Sequence, residues 1–549
     1  MRESRVVKVL NRVLPEGMGS SQKAPAERSN GDDDDEHYTW NIPESQRAGD
    51  LGDLVEQIKD YQFTHGSMIK LVRTTEGPTV LSRPIGVSVY PTPFPRARFD
   101  EAISLQKAFN KLYAGISEDP EWLEQALRHL IATDPFTRSL WDIHKEATRD
   151  RRAETIALDD QPITLGLFRS DYMLHSSPSP SSLQAAHLKQ VEFNTIACAG
   201  GCHATTTASM HAHLALYNNA PSSLPANATT AALAAALASA HAAYGPSQSG
   251  HPLAILTLVQ PHNTNTCDER PLEYALWSRT PPIACHRLHF GAPVLHRTTL
   301  GPRGALLLKL PGRGVREISV VYFRAGYEAR EYAADADADG VAARFFVERS
   351  RAVKCPSVLA QLATWKAVQR ALGEQGAVER FLGRGGEADA VRRTFAPMYR
   401  LDGETEEGLR ARGLVGERAS AGGYVLKPSL EGGGHNVYGE EIPGFLQGVE
   451  ERLWGNYVVM EAMRPPVVSN TLMGPKGLYQ GPVVSELGVF GAVMWERKGE
   501  KVGGDGKGGG IDILKNENAG WSFKTKAAHV NEMSVIKGYG CFDCPDLVD

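Results

Sequence analysis

A strand-like run that ends in lysine, Tyr424-Val425-Leu426-Lys427, leads within four residues into three consecutive glycines, in the phrase VLKPSLEGGGHNVYGEE. Adjacent glycines lose more chain entropy on folding than any other residues. A globular chain gains from them where a turn needs positive φ or where a ligand must approach bare amides. Unshielded N–H groups of this kind cradle phosphate oxygens, and a flexible hairpin tip is the alternative for the triplet alone. The neighbours favour phosphate: Lys427 can pair with it, and Glu431 is a hard oxygen ligand of the sort Mg²⁺ takes beside nucleotide phosphates. No GK[ST] follows and the spacing is not that of a dinucleotide fingerprint, so a different nucleotide-binding architecture is implied.

With 549 residues, 42% hydrophobic and 22% charged, the chain has the composition of a soluble globular protein with room for two or three domains. The net charge of −5 argues against nucleic acid as a partner, and no apolar run approaches the roughly 20 residues of a membrane span. Its seven cysteines, Cys198, Cys202, Cys267, Cys285, Cys355, Cys541 and Cys544, are odd in number and scattered, which fits a reducing cytoplasm. Cys541 and Cys544 form a CxxC that no second pair completes, and they read as packing residues. The first forty residues carry a basic stretch, MRESRVVKVLNRVL, that reads as a frayed helix more than a presequence. A polar segment ending in DDDD follows. Residues 1–40 are expected to be disordered, with order starting near Trp40.

Beyond that point helical and strand patterns alternate, the mark of an α/β protein. SLQKAFNKLYAGI, EWLEQALRHLIAT and the alanine-rich TTAALAAALASAHAAYG have helical spacing. ITLGLF, VEFNTIA, LAILTLV, ISVVYF, YVLK, NYVVME and VSELGVFGAVM read as strands. Breaks fall at SSPSPSS, at AADADADG and at GEKVGGDGKGGG; the last reads as a surface loop with no strand before it.

Several strand ends carry polar residues. VEFNT places Glu192 and Asn194 on one face, where both reach one Mg²⁺ or its waters, or simply face solvent on a half-exposed strand. VVYFRAGYEAREY ends an apolar strand in Arg324, Tyr327 and Arg330, a cluster suited to clamping a carboxylate. LFRSDYM offers Arg169, Ser170, Asp171 and Tyr172 at a similar strand end. Glu486 lies between apolar neighbours in VSELGVF, where a buried carboxylate needs a partner or a metal.

FRSDYM, QVEFNTI, VVYFRAGY, SRAVKCPSVLAQLATWKAVQ, VLKPSLEGGGHNVYGEE, VSELGVFG and a TKAA near the C-terminus occur in that order. In these phrases the chain resembles the eukaryotic type of glutathione synthetase, an ATP-grasp ligase, from about Trp40 to Asp549. The resemblance implies an α/β ATP-grasp fold with a glycine-rich lid. It also implies the ATP-driven joining of γ-glutamylcysteine to glycine through an acyl phosphate, two Mg²⁺ ions and a homodimer. The ranges that follow are 41–251 for the first part of the body, 252–357 for a substrate-binding domain and 358–549 for the ATP-grasp core. Within that core the lid spans about 424–480 and a substrate loop about 524–540.

Position by position, the resemblance makes Glu192, Asn194 and Glu431 magnesium ligands beside ATP. It makes Lys366 and Lys427 phosphate lysines, and Gly432, Gly433, Gly434, His435, Asn436 and Tyr438 the lid loop. Met460, Glu461, Ala462 and Met463 become the adenine strand, and Glu486 an acid of the nucleotide pocket. Arg169, Lys526, Gly432 and Gly433 fall at catalytic positions, Lys526 also at an ATP position. Arg169, Asn265, Arg324 and Tyr327 fall where the peptide binds, and Ala197, Cys198, Ala199, Glu269, Lys524, Val535 and Ile536 complete the substrate-binding positions.

Other positions depart from the family pattern. Ala197, Cys198 and Ala199 replace Ser-x-Ser, and the chain is one residue shorter before the glycine pair. Glu269 replaces a glutamine, Lys524 an arginine, and Leu430 a frequent arginine. The C-terminal GGVAAG becomes Met533, Ser534, Val535, Ile536, Lys537 and Gly538. The bulk of Ile536 beside Val535 and the charge of Lys537 leave open an altered acceptor pocket, or a lysine that simply reaches solvent. Two alternatives therefore stand beside glutathione synthesis: the same ligase chemistry with another acceptor amino acid, and a non-catalytic nucleotide or thiol-peptide binding relative.

Overall fold

The computed structural model describes residues 39–41, 50–71, 80–152, 161–176, 182–220, 223–332, 339–429, 434–498 and 510–549. The N-terminal extension expected over 1–40 lies outside them, apart from a short strand, Thr39–Asn41, that pairs in parallel with Val467–Ser469. Leu430, Glu431, Gly432 and Gly433, at the start of the loop expected to form a lid, also lie outside them, as do most of SSPSPSS, of AADADADG and of GEKVGGDGKGGG.

The chain is mixed α/β, built on one large mixed sheet and a smaller antiparallel one. Helix α1, Arg96–Ser117, buries Phe99, Ala102, Leu105, Phe109, Leu112, Tyr113 and Ile116, a stripe at steps of three and four. The long strand β1, Ile163–His175, pairs antiparallel with β2, His187–Asn194. The alanine-rich helix α2, Thr229–Ala243, is buried almost all round, as the small side chains allow. Strand β3, Tyr424–Pro428, belongs to the smaller sheet; β4, Gly477–Arg497, and β5, Ile511–Ala527, form a long antiparallel pair beside β1.

Period-2 alternation divides β1 and β4 cleanly. Phe168, Tyr172 and Leu174 of β1, with Leu487, Val489, Val493 and Trp495 of β4, enter the core under α1. Leu165 and Leu167, with Phe490, Ala492 and Met494, enter a second core with α2 on the opposite face. Arg169, Asp171, Glu486 and Gly488 continue that second face beyond the helix, so the sheet is apolar at one end and charged at the other. Phe193 of β2 points the other way and stacks on Tyr113 of α1 at 3.8 Å.

The strands between 252 and 357 extend the same large sheet, through Val353–Cys355 beside Thr164. The smaller sheet orders Met398–Arg400, Tyr457–Glu461, β3 and Val437–Tyr438, whereas Val467–Gly474 joins the large sheet. The anticipated lid range of 424–480 thus draws on both sheets.

Two expectations are corrected by the strands. The glycine-rich GEKVGGDGKGGG does follow a strand, because β4 runs to Arg497 and pairs with β5 across it; Glu496, Arg497 and Lys498 are charged since this end of the hairpin meets solvent. LFRSDYM is not a strand end: Arg169 sits mid-strand, between Asn194 and Phe490 of the neighbouring strands. Cys541 and Cys544 are buried, and burial raises both thiols, in keeping with packing. No helix among the described residues is long and apolar enough to cross a membrane.

Candidate functional site

Cross-strand register gathers the charged residues. Asn194 stands opposite Arg169, Glu192 opposite Asp171, Asp171 opposite Gly488, and Glu486 opposite Lys524. Cross-strand partners share a face, so the four adjacent strands β2, β1, β4 and β5 present these residues together. Gly488 is required there: a Cβ at this position would lie 2.6 Å from both Asp171 Oδ1 and Ser522 Oγ.

Arg169 donates through Nε and Nη2 to the two oxygens of Asp171, at 2.6 and 2.7 Å, in a bidentate pair, and through Nη1 to the Ala199 carbonyl at 2.9 Å. Asn194 Nδ2 donates to Asp171 Oδ2 at 3.1 Å and to Glu192 Oε1 at 3.2 Å. Lys366, the first residue of a short helix, reaches Glu192 Oε2 at 3.0 Å. Lys427 comes from β3 of the smaller sheet and donates to the Val191 carbonyl of β2 at 2.9 Å.

Burial would raise the Glu192 carboxyl, but the ammonium groups of Lys366 and Lys427 outweigh it and hold the acid well below the usual carboxylate range. Burial pushes Lys427 down to about 8, against the pull of Glu192. Lys526, opposite Val484 on the same β4–β5 ladder, is likewise pushed by burial down to about 8; it donates to the carbonyls of Val530 and, at 2.8 Å, of Asn531. Burial raises Glu486, and Lys524 at 2.5 Å opposes the rise.

Glu192 and the Asn194 amide offer hard oxygen donors suited to Mg²⁺. Both nitrogen bonds of Asn194 point to neighbouring carboxylates, which leaves its Oδ1 for a cation. The third expected donor, Glu431, lies outside the described residues, and among those described no group of three His, Cys, Asp or Glu side chains is arranged to hold a metal.

The smaller sheet carries the expected adenine strand: Met460 is buried, Glu461 accepts from Tyr399 Oη at 2.8 Å, and Ala462 N donates to the Gly423 carbonyl at 2.8 Å, with half-buried Met463 next. Asn436 Nδ2 lies 3.3 Å from Tyr438 Oη, while His435 is exposed.

Among the positions expected to bind the peptide, Ala197 has a left-handed φ of 51°. Its segment is held from three directions: by Arg169 at the Ala199 carbonyl, by Arg324 at the Cys198 carbonyl at 3.1 Å, and by Asp268, which accepts from the N–H groups of Gly200 and Cys202 at 2.9 and 3.0 Å. Cys198 Sγ lies 3.3 Å from the Asn194 carbonyl, a buried packing position. Arg324 is buried, donating to Asp268 at 3.0 Å and standing 3.6 Å from Glu269. Glu269 is buried as well, accepting from Asn263 at 2.6 Å and from Arg287 at 2.8 Å. Asn265 precedes the helix Thr266–Trp277, and its carbonyl receives the first N–H bonds of that helix. Tyr327 is half-buried on a turn braced by Glu331.

Arg330 does not join Arg324 and Tyr327; it is 78% exposed and pairs with Glu328, because the strand has already ended at Phe323. Val535 is buried, and Ile536 packs against its cluster. Asp171 joins Arg169 to Asn194, Asp268 joins Arg324 to the N–H groups of Gly200 and Cys202, and Glu532 accepts from Gly434 N at 3.2 Å. Asp171 was visible within RSDYM; Asp268 and Glu532 are single acids in loops or helix starts, with no periodic signal to mark them.

The family model for the eukaryotic glutathione synthase ATP-binding domain matches residues 48–547. The chain is 31% identical over 517 residues to the glutathione synthetase large chain of Schizosaccharomyces pombe, covering 90% of this chain and 98% of that one. It is 33% identical over 513 residues to the glutathione synthetase of Homo sapiens, covering 90% and 96%. Among solved structures, an apo glutathione synthetase-like effector from Globodera pallida aligns with a TM-score of 0.66 at 22% identity, over 93% of this chain and all of that one, a likeness of fold. With a family match across nearly the whole described sheet and relatives this similar over nine-tenths of its length, the chain belongs to the eukaryotic glutathione synthetase family.

Proposed function

We propose that this chain is an ATP-dependent ligase that joins the cysteinyl carboxylate of γ-glutamylcysteine to the amine of glycine, forming glutathione, ADP and phosphate. The observation that carries the reading is the charged face itself: Glu192, Lys366 and Lys427 stand beside the Arg169–Asp171 pair on one side of four adjacent strands. The carboxylate attacks the γ-phosphorus of ATP and ADP leaves. The amine then attacks the acyl carbon of the resulting acyl phosphate, losing a proton as phosphate departs. No protein nucleophile is needed, so the work is positioning and charge neutralisation.

In this reading Lys366, Lys427 and Lys526 receive the phosphate charge, and Glu486 and the strand of Met460 to Met463 flank the nucleotide. Arg169, Asn265, Arg324 and Tyr327 orient the peptide. Glu192, Asn194 and Glu431 would hold Mg²⁺, which would supply charge neutralisation at the transferring phosphoryl group. The segment around the glycine triplet acts as a lid that excludes water from the acyl phosphate. An ATP-grasp architecture divided near 252, 357 and 424, a homodimer and a cytoplasmic setting complete the proposal by family likeness. The test is phosphate release by the purified chain with Mg²⁺, ATP and γ-glutamylcysteine against each amino acid, with products identified by mass. Glycine-dependent release forming glutathione is expected, and no release with any amino acid would overturn the reading.

A further inference from the structure

Arg287 lies on the strand Cys285–His289 and has no part in the reaction as written above. It nevertheless reaches two acids of the helix Thr266–Trp277. Its Nη1 donates to Glu269 Oε2 at 2.8 Å and its Nε donates to Glu273 Oε1. Residues four apart share a helix face, so one guanidinium spans both carboxylates. All three side chains are largely buried.

Every polar neighbour of the Glu269 carboxylate is a donor. Oε2 accepts from Asn263 Nδ2 at 2.6 Å as well as from Arg287, and Oε1 stands 3.6 Å from Arg324 Nε. That Nε is buried and hydrogen-bonds to nothing among the described residues. A carboxylate accepts at both oxygens, whereas a glutamine carries an oxygen at one end and two N–H donors at the other. A glutamine, the residue the family resemblance implies here, could serve Asn263 and Arg287 only by turning its NH₂ group towards the Arg324 N–H. The surroundings of position 269 therefore ask for an acid.

The same acid braces two expected peptide positions that come from different elements. Asn263 Oδ1 accepts from Asn265 N at 2.7 Å, so the turn that carries Asn265 is tied to Glu269 through Asn263. Arg324, on the other side, holds the Cys198 carbonyl at 3.1 Å. We propose that Glu269 and Arg287 are a coupled pair of positioning residues for the peptide: Arg287 orients the acid, and the acid fixes Arg324 and the Asn263–Asn265 turn. The inference rests on the ligase reading above. It makes Glu269, and not the family's glutamine, the residue that suits this chain.

The full-length chain carrying Glu269→Gln, Arg287→Lys or both is compared with the parent. Lysine keeps the charge but cannot span two acids. KM values for γ-glutamylcysteine and ATP are measured, with calorimetric binding of the peptide and urea midpoints for each variant. Each single change is expected to raise the peptide KM and Kd by about tenfold, and the double variant also by about tenfold, because the two residues act through one contact. The KM for ATP should not move. Glu269→Gln preserves shape, and it decides the role of the acid even where Arg287→Lys does not fold. An unchanged peptide constant in Glu269→Gln, a rise of about 100-fold in the double variant as independent effects require, or an equal rise for ATP would overturn the proposal. A parent that neither turns over nor binds the peptide overturns the functional reading and this proposal with it, whereas unchanged variants of an active parent overturn the proposal alone.

Discussion

Glu486 and Lys524 stand directly opposite each other on β4 and β5, with 2.5 Å between carboxylate and ammonium. The lysine stands where the family resemblance implies an arginine. An ammonium group is a point charge, and here it is engaged by its cross-strand neighbour, whereas a guanidinium has further donors to offer a substrate. Both side chains are largely buried, so removing one partner strands the other. Glu486→Gln is expected to cost about 3 kcal/mol of stability, read as a lower midpoint in urea with an unchanged slope. Replacing both residues by an apolar pair should recover most of the loss, and a single variant as stable as the parent would show that the ion pair does not hold the strands.

The two lysines that burial pushes down to about 8 predict a pH dependence for the proposed nucleotide site. Both lie below the ordinary lysine value of 10.5, so between about pH 8 and 10.5 the folded chain binds fewer protons than the unfolded one. Stability contributed by these groups therefore rises with pH across that window. Phosphate has the opposite effect, because an anion beside Lys427 and Lys526 favours their charged forms. Nucleotide binding near pH 8.5, a pH chosen as roughly inside this window, should take up protons, and affinity should fall as pH rises further. Calorimetry in buffers of different ionisation enthalpy measures the uptake; affinity that is flat to high pH would show that the lysines are already charged.

Much of this site was legible through whole phrases that resemble the family, whereas strand alternation alone left Glu192 and Asn194 open between Mg²⁺ and solvent. ITLGLF and VSELGVFGAVM read as strands, and Glu486 stood out as an acid between apolar neighbours, while Arg169 and Asp171 read as a strand end. Register is a different matter. Nothing local says that Glu486 faces Lys524, or that Asp268 in a helix start caps the N–H groups of Gly200 and Cys202. Such contacts join segments whose separation carries no periodic trace. The end of β4 was misread for a simpler reason: Glu496, Arg497 and Lys498 are charged because a hairpin end is solvated, and charge beside glycine resembles a loop. Arg324 was legible as important but not as buried, since its partners Asp268 and Glu269 come from another element.

Glu192 is held as a carboxylate by Lys366 at 3.0 Å and by Lys427. Glu192→Gln removes the charge with little change in volume, and the packing of Phe193 on α1 lies on the opposite face of β2, so the fold should survive. Turnover is expected to fall by about 100-fold or more, with the Mg²⁺ concentration for half-maximal activity raised. Circular dichroism and a thermal midpoint near the parent's would separate this from unfolding. Unaltered magnesium dependence would remove Glu192 from the metal site.

Glu331 accepts hydrogen bonds from three successive backbone N–H groups, those of Gly326 at 3.0 Å, Tyr327 at 3.1 Å and Glu328 at 3.0 Å. Burial raises this carboxyl, and the three N–H groups oppose the rise. Tyr332 Oη and Gln361 Nε2 both donate to the Gly326 carbonyl, at 2.8 and 2.7 Å, so the turn that presents Tyr327 is fixed on both its donor and acceptor sides. Glu331→Ala leaves the N–H groups without their acceptor, and an unpaired buried donor costs roughly 1–3 kcal/mol. The turn should relax, raising the KM for γ-glutamylcysteine by about tenfold, the equivalent of roughly 1.4 kcal/mol, with the KM for ATP unchanged. Glu331→Gln keeps an accepting oxygen and should fall between the two. If the peptide and ATP constants rise together, the turn serves the whole molecule and Glu331 is not a positioning residue for the peptide.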